Sequence, residues 1–167
     1  IYNSKESLLN IIKEKKIELE SETDINLLGF GKIVDLLYKK VARPNIINPI
    51  FLTEHPIELS PLARANDKNK EITDRFQLVI NGAEIVNAYS ELVDPVEQRK
   101  RLEEQARLNQ EGDDEALVMD EDYLDAMSYG MPPISGWGMG VDRLIQLLTN
   151  SENIKDCVLF PLMRQNK

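Results

Sequence analysis

Oxygen-bearing side chains flank an Asn-Gly pair in the middle of this 167-residue chain. If Asn81 and Gly82 form a two-residue hairpin turn, Gln77 and Glu84 lie on one face of the hairpin. As diagonal neighbours they are about 7–8 Å apart at the backbone, so their side-chain oxygens can reach a common cation. Mg²⁺ takes such oxygen ligands, with water and phosphates completing its shell. The hairpin therefore predicts a site for a phosphate-bound metal, with Glu84 and Gln77 as ligands.

The second strand of this hairpin carries an amide and a carboxylate. Asn87, Tyr89 and Glu91 alternate along it, with a parity opposite to that of Glu84, and this face could hold a small cationic or amino-bearing ligand. A regular strand cannot place Glu84 and Asn87 on the same side. A ligand that touches both requires a β-bulge or a strong twist between them. Spacing leaves an alternative open, in which Glu84 and Glu91 are solvent-facing residues of an edge strand.

Three alternating glycines, Gly136, Gly138 and Gly140, precede a predicted amphipathic helix. They let the backbone approach a ligand, and the unpaired N–H groups at the helix start favour anions. The pattern is neither a dinucleotide-binding fingerprint nor a P-loop. Arg143 lies off the apolar stripe of the helix, where its planar cation could meet an aromatic base or a phosphate. Close backbone packing beside a surface arginine is the open alternative.

The hydrophobic periodicity predicts helices in blocks and strands in pairs. The predicted helices span residues 4–18, with Ser4 as N-cap, 26–42, 95–109 and 115–129, and a last one starts at 140. The predicted strands span residues 48–53, 75–80, 83–92 and 156–162, and a Gly-Asp-Asp break falls at 112–114. This order favours an α+β domain with an antiparallel sheet over alternating βαβ units.

Composition limits the class of protein. The net charge is −9, and residues 94–125 hold 12 acidic and 4 basic residues, so a chain-wide basic face for nucleic acid is not expected.

One cysteine, Cys157, and one histidine, His55, leave no disulfide framework and little for a Cys- or His-based metal site. For His55 we expect a packed or hydrogen-bonded structural role. No apolar run approaches the roughly 18 residues of a membrane span, so we expect a single cytoplasmic domain.

Eight stretches, in order along nearly the whole chain, carry a family resemblance. They are residues 51–64 (FLTEHPIELSPLAR), 73–76 (TDRF), 84–92 (EIVNAYSEL), 112–116 (GDDEA), 120–123 (DEDY), 130–133 (GMPP), 136–144 (GWGMGVDRL) and 159–161 (LFP). Together they resemble the C-terminal part of the catalytic domain of class II lysyl-tRNA synthetases. The stretch at 51–64 and the strand with Asn87 and Glu91 distinguish the lysine enzymes from their aspartate and asparagine relatives.

The resemblance implies that residues 1–167 form the C-terminal portion of such a domain, with helices around an antiparallel sheet. The implied enzyme is a lysine–tRNA ligase, which condenses ATP and lysine to lysyl-adenylate with Mg²⁺ and transfers lysine to tRNA(Lys). By position, Glu84 resembles the carboxylate that binds metal and ATP, and Asn87 and Glu91 resemble lysine-binding residues. The remaining ATP-binding positions implied are Ile85 and the third motif, Gly140, Val141, Asp142 and the catalytic Arg143.

The chain also departs from the family pattern. Gln77 stands where many members have a second metal-binding glutamate, so it keeps an oxygen ligand but loses a charge. Val86, Val93 and Trp137 replace the usual residues near the pocket. The anticodon-binding barrel, the dimer-forming first motif and the second motif with its ATP-binding arginine have no counterpart in these residues. We therefore expect the 167-residue chain alone to be inactive, and the full-length enzyme to be a homodimer.

Two other functions remain open. The chain could be a non-enzymatic module that binds lysine, ATP or a protein partner, the last through its acidic helices. It could also belong to a paralogue that lysylates a protein instead of tRNA, and such paralogues retain the second motif. The upstream coding sequence separates these alternatives, because it either supplies the missing motifs or does not.

Overall fold

The computed structural model describes residues 4–19, 24–26, 28–111 and 116–161. Its four strands are β1 (Ile50–Thr53), β2 (Arg75–Ile80), β3 (Ala83–Ser90) and β4 (Ser135–Met139). Its α-helices are α1 (Lys5–Glu14), α2 (Phe30–Leu37), α3 (Pro95–Gln110), α4 (Glu121–Ser128) and α5 (Val141–Thr149). The strands form one antiparallel sheet in the order β1-β2-β3-β4, so the predicted α+β class is confirmed. Within the described ranges, no helix is long and apolar enough to cross a membrane.

The predicted hairpin forms between β2 and β3. Asn81 and Gly82 both have positive φ, 49° and 69°, which is the type I′ geometry that matches the twist of the strands. Next to the turn, Val79 pairs with Glu84 as expected. Beyond that pair the predicted register is wrong by one residue. Gln77 faces Asn87 instead of Val86, because a β-bulge on β3 interrupts the ladder.

Four predicted elements differ from the observed ones. The helix expected over 4–18 ends at Glu14, and Lys16 beyond it has a positive φ of 50°. The helix expected over 26–42 is α-helical only as α2 and continues as a π-helical segment at Tyr38–Ala42. The helix expected from 115 begins at Glu121, because the Asp120 carboxylate caps it by accepting from the N–H of Tyr123 at 2.9 Å. The strand expected over 156–162 is wrong for its described residues: a 3₁₀ turn forms instead at Ile154–Cys157, capped by the side chain of Asn153.

Strand β4 was not predicted from the sequence. Glycines at 136 and 138 interrupt the apolar alternation that marks a strand, so the periodicity gave no signal there. The break predicted at 112–114 lies outside the described residues. The N-cap predicted at Ser4 is confirmed, since its Oγ accepts from the N–H of Ser7 at 3.3 Å. Such a cap stabilises a helix by about 1 kcal/mol.

Two apolar clusters support the elements around the sheet. One joins α1 and α2 through Leu8, Ile12, Leu28 and Ile33, and the other joins α3 and α4 through Leu102, Leu124 and Met127. The sheet itself is anchored by the buried side chains of Val79 and Ile85. The pocket-facing residues of β2 and β3 are therefore held on a packed scaffold.

Candidate active site

The β-bulge on β3 decides which side chains share a face. Leu78 pairs with Val86 and Val79 with Glu84, so Ile85 is the extra residue on β3. Because of it, Glu84 and Asn87 lie on the same side of the sheet as Gln77. The condition set by the sequence, a bulge between Glu84 and Asn87, is met. Strand β3 is also central, so the alternative of an edge strand is wrong, and the side chains of Glu84 and Glu91 are both half-buried.

Gln77 connects a carboxylate to a buried imidazole. Its Nε2 donates to Glu84 Oε2 at 2.6 Å, and its Oε1 lies 3.2 Å from His55 Nε2. A carboxylate only accepts hydrogen bonds, so the amide NH₂ must face Glu84 and the amide oxygen must face His55. His55 Nε2 then carries the proton and donates it. The three side chains form one directed chain of hydrogen bonds that orients the Glu84 carboxylate.

His55 has the structural role expected from the sequence. Its side chain is buried, and this burial lowers the pKa of the imidazole below its ordinary value of 6.5. Its Nδ1 has no hydrogen-bond partner in the described part of the chain. The link from His55 to Gln77 was missed at the sequence level. Twenty-two residues separate the two, and only the pairing of β1 with β2 brings the region of His55 beside that strand.

The residues around Glu84 fit a Mg²⁺ ion held largely by phosphates. Within the described ranges, no group of three or more His, Cys, Asp or Glu side chains could hold a metal on its own. Magnesium, however, is commonly bound through one or two carboxylates, with phosphates and water as its other ligands. Glu84 supplies one carboxylate. Gln77 was expected to add an oxygen, but that oxygen accepts from His55 in this structure.

Asn87 is oriented by Arg75, a residue that the sequence did not mark as part of the site. Arg75 Nε donates to Asn87 Oδ1 at 2.9 Å, and its Nη1 donates to Leu59 O and Ser60 Oγ. The carbonyl end of the Asn87 amide is thereby engaged, which leaves its Nδ2 as a donor for another group. Burial lowers the pKa of Arg75. Arg75 could have been predicted from its position, because it is two residues from Gln77 on one strand and its side chain therefore lies on the same face of the sheet.

Glu91 lies beside a cavity of about 340 Å³ between β3 and β4. The cavity is lined by Asn87, Tyr89, Glu91, Gly136, Trp137 and Gly138. Partial burial raises the pKa of Glu91. Burial also raises the pKa of Tyr89, with a smaller contribution from the Glu91 charge. A carboxylate in a small polar cavity is suited to an ammonium group, because a charge-assisted hydrogen bond offsets the loss of water by both ions.

A wider cleft of about 1170 Å³ opens on the same face of the sheet. Asn87 and Tyr89 line both spaces, and Arg75 and Gln77 line only the cleft. The amide of Asn87 therefore lies where the small cavity and the cleft meet. A ligand with an ammonium group in the cavity would extend past Asn87 into the cleft.

The turn before α5 is fastened to the bulge. Gly140 N–H donates to Ile85 O at 3.0 Å, and Arg143 Nη1 donates to Glu84 O at 2.8 Å. Both carbonyls belong to residues at the bulge, and the turn supplies their hydrogen-bond partners. A Cβ at Gly140 would lie 3.2 Å from Arg143 Cδ, so the glycine makes room for this side chain.

The predicted ATP-binding residues thus meet at one place. Glu84 and Ile85 on β3 contact Gly140 and Arg143 through the hydrogen bonds above, and Val141 and Asp142 form the first turn of α5. Gly136 and Gly138 do not belong to this turn. They lie within β4 beside the smaller cavity, where Gly138 pairs with Asn87. The three alternating glycines therefore belong to two neighbouring regions, β4 and the start of α5.

Comparison with known proteins identifies the class. The family model for class II tRNA synthetases (D, K and N) matches residues 9–164, so the chain belongs to this family. Its relatives include lysine–tRNA ligases. That of Porphyromonas gingivalis is 49% identical over 140 residues, which cover 84% of this chain and 24% of the relative.

Two further lysine–tRNA ligases give the same result. The enzyme of Helicobacter hepaticus is 42% identical over 167 residues, covering 100% of this chain and 31% of the relative. The heat-inducible enzyme of Escherichia coli K12 is 52% identical over 139 residues, covering 83% of this chain and 28% of the relative. The chain thus spans between about a quarter and a third of the length of these curated relatives.

Proposed function

We propose that the chain forms the part of a lysine–tRNA ligase that binds ATP and lysine. Lysyl-adenylate formation and transfer of lysine to tRNA(Lys) follow in the complete enzyme, which we expect to be a cytoplasmic homodimer. The observation that carries the proposal is the β-bulge at Ile85. It places the candidate metal ligand Glu84 and the candidate lysine ligand Asn87 on one face, and its carbonyls hold Gly140 and Arg143. The similarity to lysine–tRNA ligases supports the choice of lysine.

The roles follow from the chemistry of each group. In adenylation the lysine carboxylate attacks the α-phosphate of ATP, an oxygen–phosphorus bond forms, and pyrophosphate leaves. Glu91 binds the ε-ammonium of lysine, and the Asn87 amide, oriented by Arg75, donates a hydrogen bond to the amino acid. Arg143 presents a permanent cation beside the bulge to the adenine ring and the phosphates of ATP.

Glu84 would hold a Mg²⁺ ion that arrives with ATP. When bound, the metal neutralises negative charge on the phosphates. The protein contributes by fixing the direction of the Glu84 carboxylate, since Gln77 donates to one of its oxygens at 2.6 Å. The Gln77 amide is neutral, so this site has one charge fewer than a pair of glutamates. In the absence of ATP we therefore expect a lower affinity for Mg²⁺ than a pair of glutamates would give.

The test is the substitution Glu91→Gln in the full-length protein. The isosteric amide keeps the shape of the side chain but loses the charge that faces the ammonium. We expect kcat/KM for lysine in pyrophosphate exchange to fall about 100-fold or more, and KM for ATP to change less than about threefold. An equal loss for both substrates would contradict the assignment of Glu91. Lysine binding without any exchange would favour the non-enzymatic module.

A further inference from the structure

Gly136 lies against the Glu91 carboxylate. A Cβ built on Gly136 would be 2.5 Å from Glu91 Oε1 and 3.7 Å from Glu91 Cδ. Carbon and oxygen atoms that are not bonded do not approach to 2.5 Å, so the carboxylate occupies space that any other residue at 136 would fill. The carboxylate can stay in this place only because residue 136 has no side chain.

The backbone gives no other reason for a glycine at this position. Gly136 lies within β4 and pairs with Tyr89 of β3. Among the described residues, the glycines with positive φ are Gly82 and Gly130, so Gly136 has a conformation that other residues adopt readily. Glycine also weakens a strand, by roughly 0.5–1 kcal/mol relative to alanine. The requirement at 136 is therefore for space beside Glu91.

We propose that Gly136 is a positioning residue for lysine selection, which keeps the Glu91 carboxylate at the wall of the 340 Å³ cavity. This inference rests on the proposed role of Glu91. An added methyl would meet the far end of a flexible side chain, and no backbone atom is among its contacts within 4 Å. The substitution therefore displaces the carboxylate and leaves the sheet in place.

Gly138 provides a matched control on the same strand. It is two residues further along β4, so its missing side chain is on the same face, and it lines the same cavity. A Cβ there would meet no atom within 4 Å. Gly138→Ala thus takes space from the cavity without touching Glu91. Comparing the two substitutions separates displacement of the carboxylate from loss of volume.

The experiment measures kcat/KM for lysine and KM for ATP in pyrophosphate exchange, using the protein at the length its gene encodes. We expect Gly136→Ala to lower kcat/KM for lysine about tenfold or more while KM for ATP stays within about twofold. The fold-decrease in kcat/KM for lysine caused by Gly138→Ala should be less than a third of that caused by Gly136→Ala. In a Glu91→Asp background, where the shorter side chain withdraws the carboxylate, Gly136→Ala should cost no more than about twofold. Thermal unfolding of each variant reports whether the fold is kept.

Each outcome decides between defined alternatives. Equal losses for Gly136→Ala and Gly138→Ala would overturn the inference, as would the same loss with Glu91 or Asp at position 91. If Gly136→Ala unfolds the protein, recovery of folding in the Glu91→Asp background supports the clash with the carboxylate, and no recovery refutes it. Failure of the proposed function is distinguishable, because then the unsubstituted protein itself shows no lysine-dependent pyrophosphate exchange.

Discussion

Single side chains at this site act through their neighbours. Glu84 is held by Gln77, Gln77 by His55, and Asn87 by Arg75. In each pair the partner settles which atom of an amide faces which group, because a carboxylate accepts and a guanidinium donates. The loss of one partner would leave a half-buried polar group unpaired, which costs about 1–3 kcal/mol. Residues that do not contact a substrate can therefore determine how the side chains of the site are oriented.

His55 offers a pH test of this arrangement, since it is the only histidine in the chain. Burial holds the folded-state pKa of His55 below the ordinary value of 6.5, so the unfolded chain binds its proton more readily. The folded state keeps its full stability above pH 6.5 and loses stability as the pH falls below 6.5 towards the lowered pKa. One titrating proton gives a slope of at most about 1.4 kcal/mol per pH unit in that window.

Urea unfolding between pH 8 and pH 5 measures this dependence. His55→Gln removes the titrating group and keeps a side chain that can hydrogen-bond Gln77, so the difference between the two chains isolates the histidine. We expect that difference to shrink as the pH falls. A pH-independent difference would mean that the pKa of His55 is the same in the folded and unfolded chains.

At the scale of elements, the hairpin and the turn before α5 form one unit. The type I′ turn sets the register of β2 against β3, and the bulge shifts that register by one residue. The carbonyls of Glu84 and Ile85 at the bulge accept hydrogen bonds from the turn between β4 and α5. Strand β3 thus carries the proposed metal ligand Glu84 and the proposed lysine ligand Asn87, and it contacts the proposed ATP-binding turn. Its central place between β2 and β4 makes this possible.

The turn itself can be tested with Gly82→Ala. Gly82 has φ of 69°, a conformation in which a Cβ costs about 1–2 kcal/mol. We expect the free energy of unfolding to fall by about that amount in urea titration. Gly138→Ala is the control, because Gly138 lacks the positive φ and a Cβ there meets no atom within 4 Å. Equal stability of the two variants would show that the positive φ carries no cost.

The whole molecule leaves apolar surface uncovered. Phe51, Trp137 and Leu148 are 66%, 70% and 76% exposed, and the apolar face predicted for α5 is therefore only partly buried. The relatives that the chain matches are three to four times its length. Both observations support the proposal that these residues are one part of a larger enzyme.

The last prediction concerns the 167-residue chain by itself. The resemblance assigns binding of the α-phosphate to an arginine of the second motif, which these residues do not include, and one such charged contact contributes about 100- to 1000-fold to a rate. We expect no appreciable lysine-dependent pyrophosphate exchange from the isolated chain. The protein at the length its gene encodes, assayed at equal concentration, is the reference. A comparable rate from the isolated chain would show that the second motif is dispensable.

Much of the fold and part of the site were predictable from local signals. The Asn-Gly turn, the cap at Ser4 and the antiparallel α+β class follow from short-range chemistry and periodicity. Strand β4 was not predicted, because its glycines interrupt the apolar alternation typical of a strand. The 3₁₀ turn at Ile154–Cys157 was not predicted either, because it depends on capping by a local side chain. Candidate site residues on β3 could be named from the sequence, but their common face depends on a bulge that periodicity alone cannot locate.

The sequence by itself determined the family and the set of candidate residues, since motif spacing and residue chemistry are local properties of the chain. Only the tertiary structure decided how those residues meet. Arg143 and Glu84 are 59 positions apart and share a hydrogen bond, and the Gly136 backbone lies against the Glu91 carboxylate. Such contacts depend on strand register and packing between distant segments. A shift of one residue at the bulge would place Glu84 and Asn87 on opposite faces.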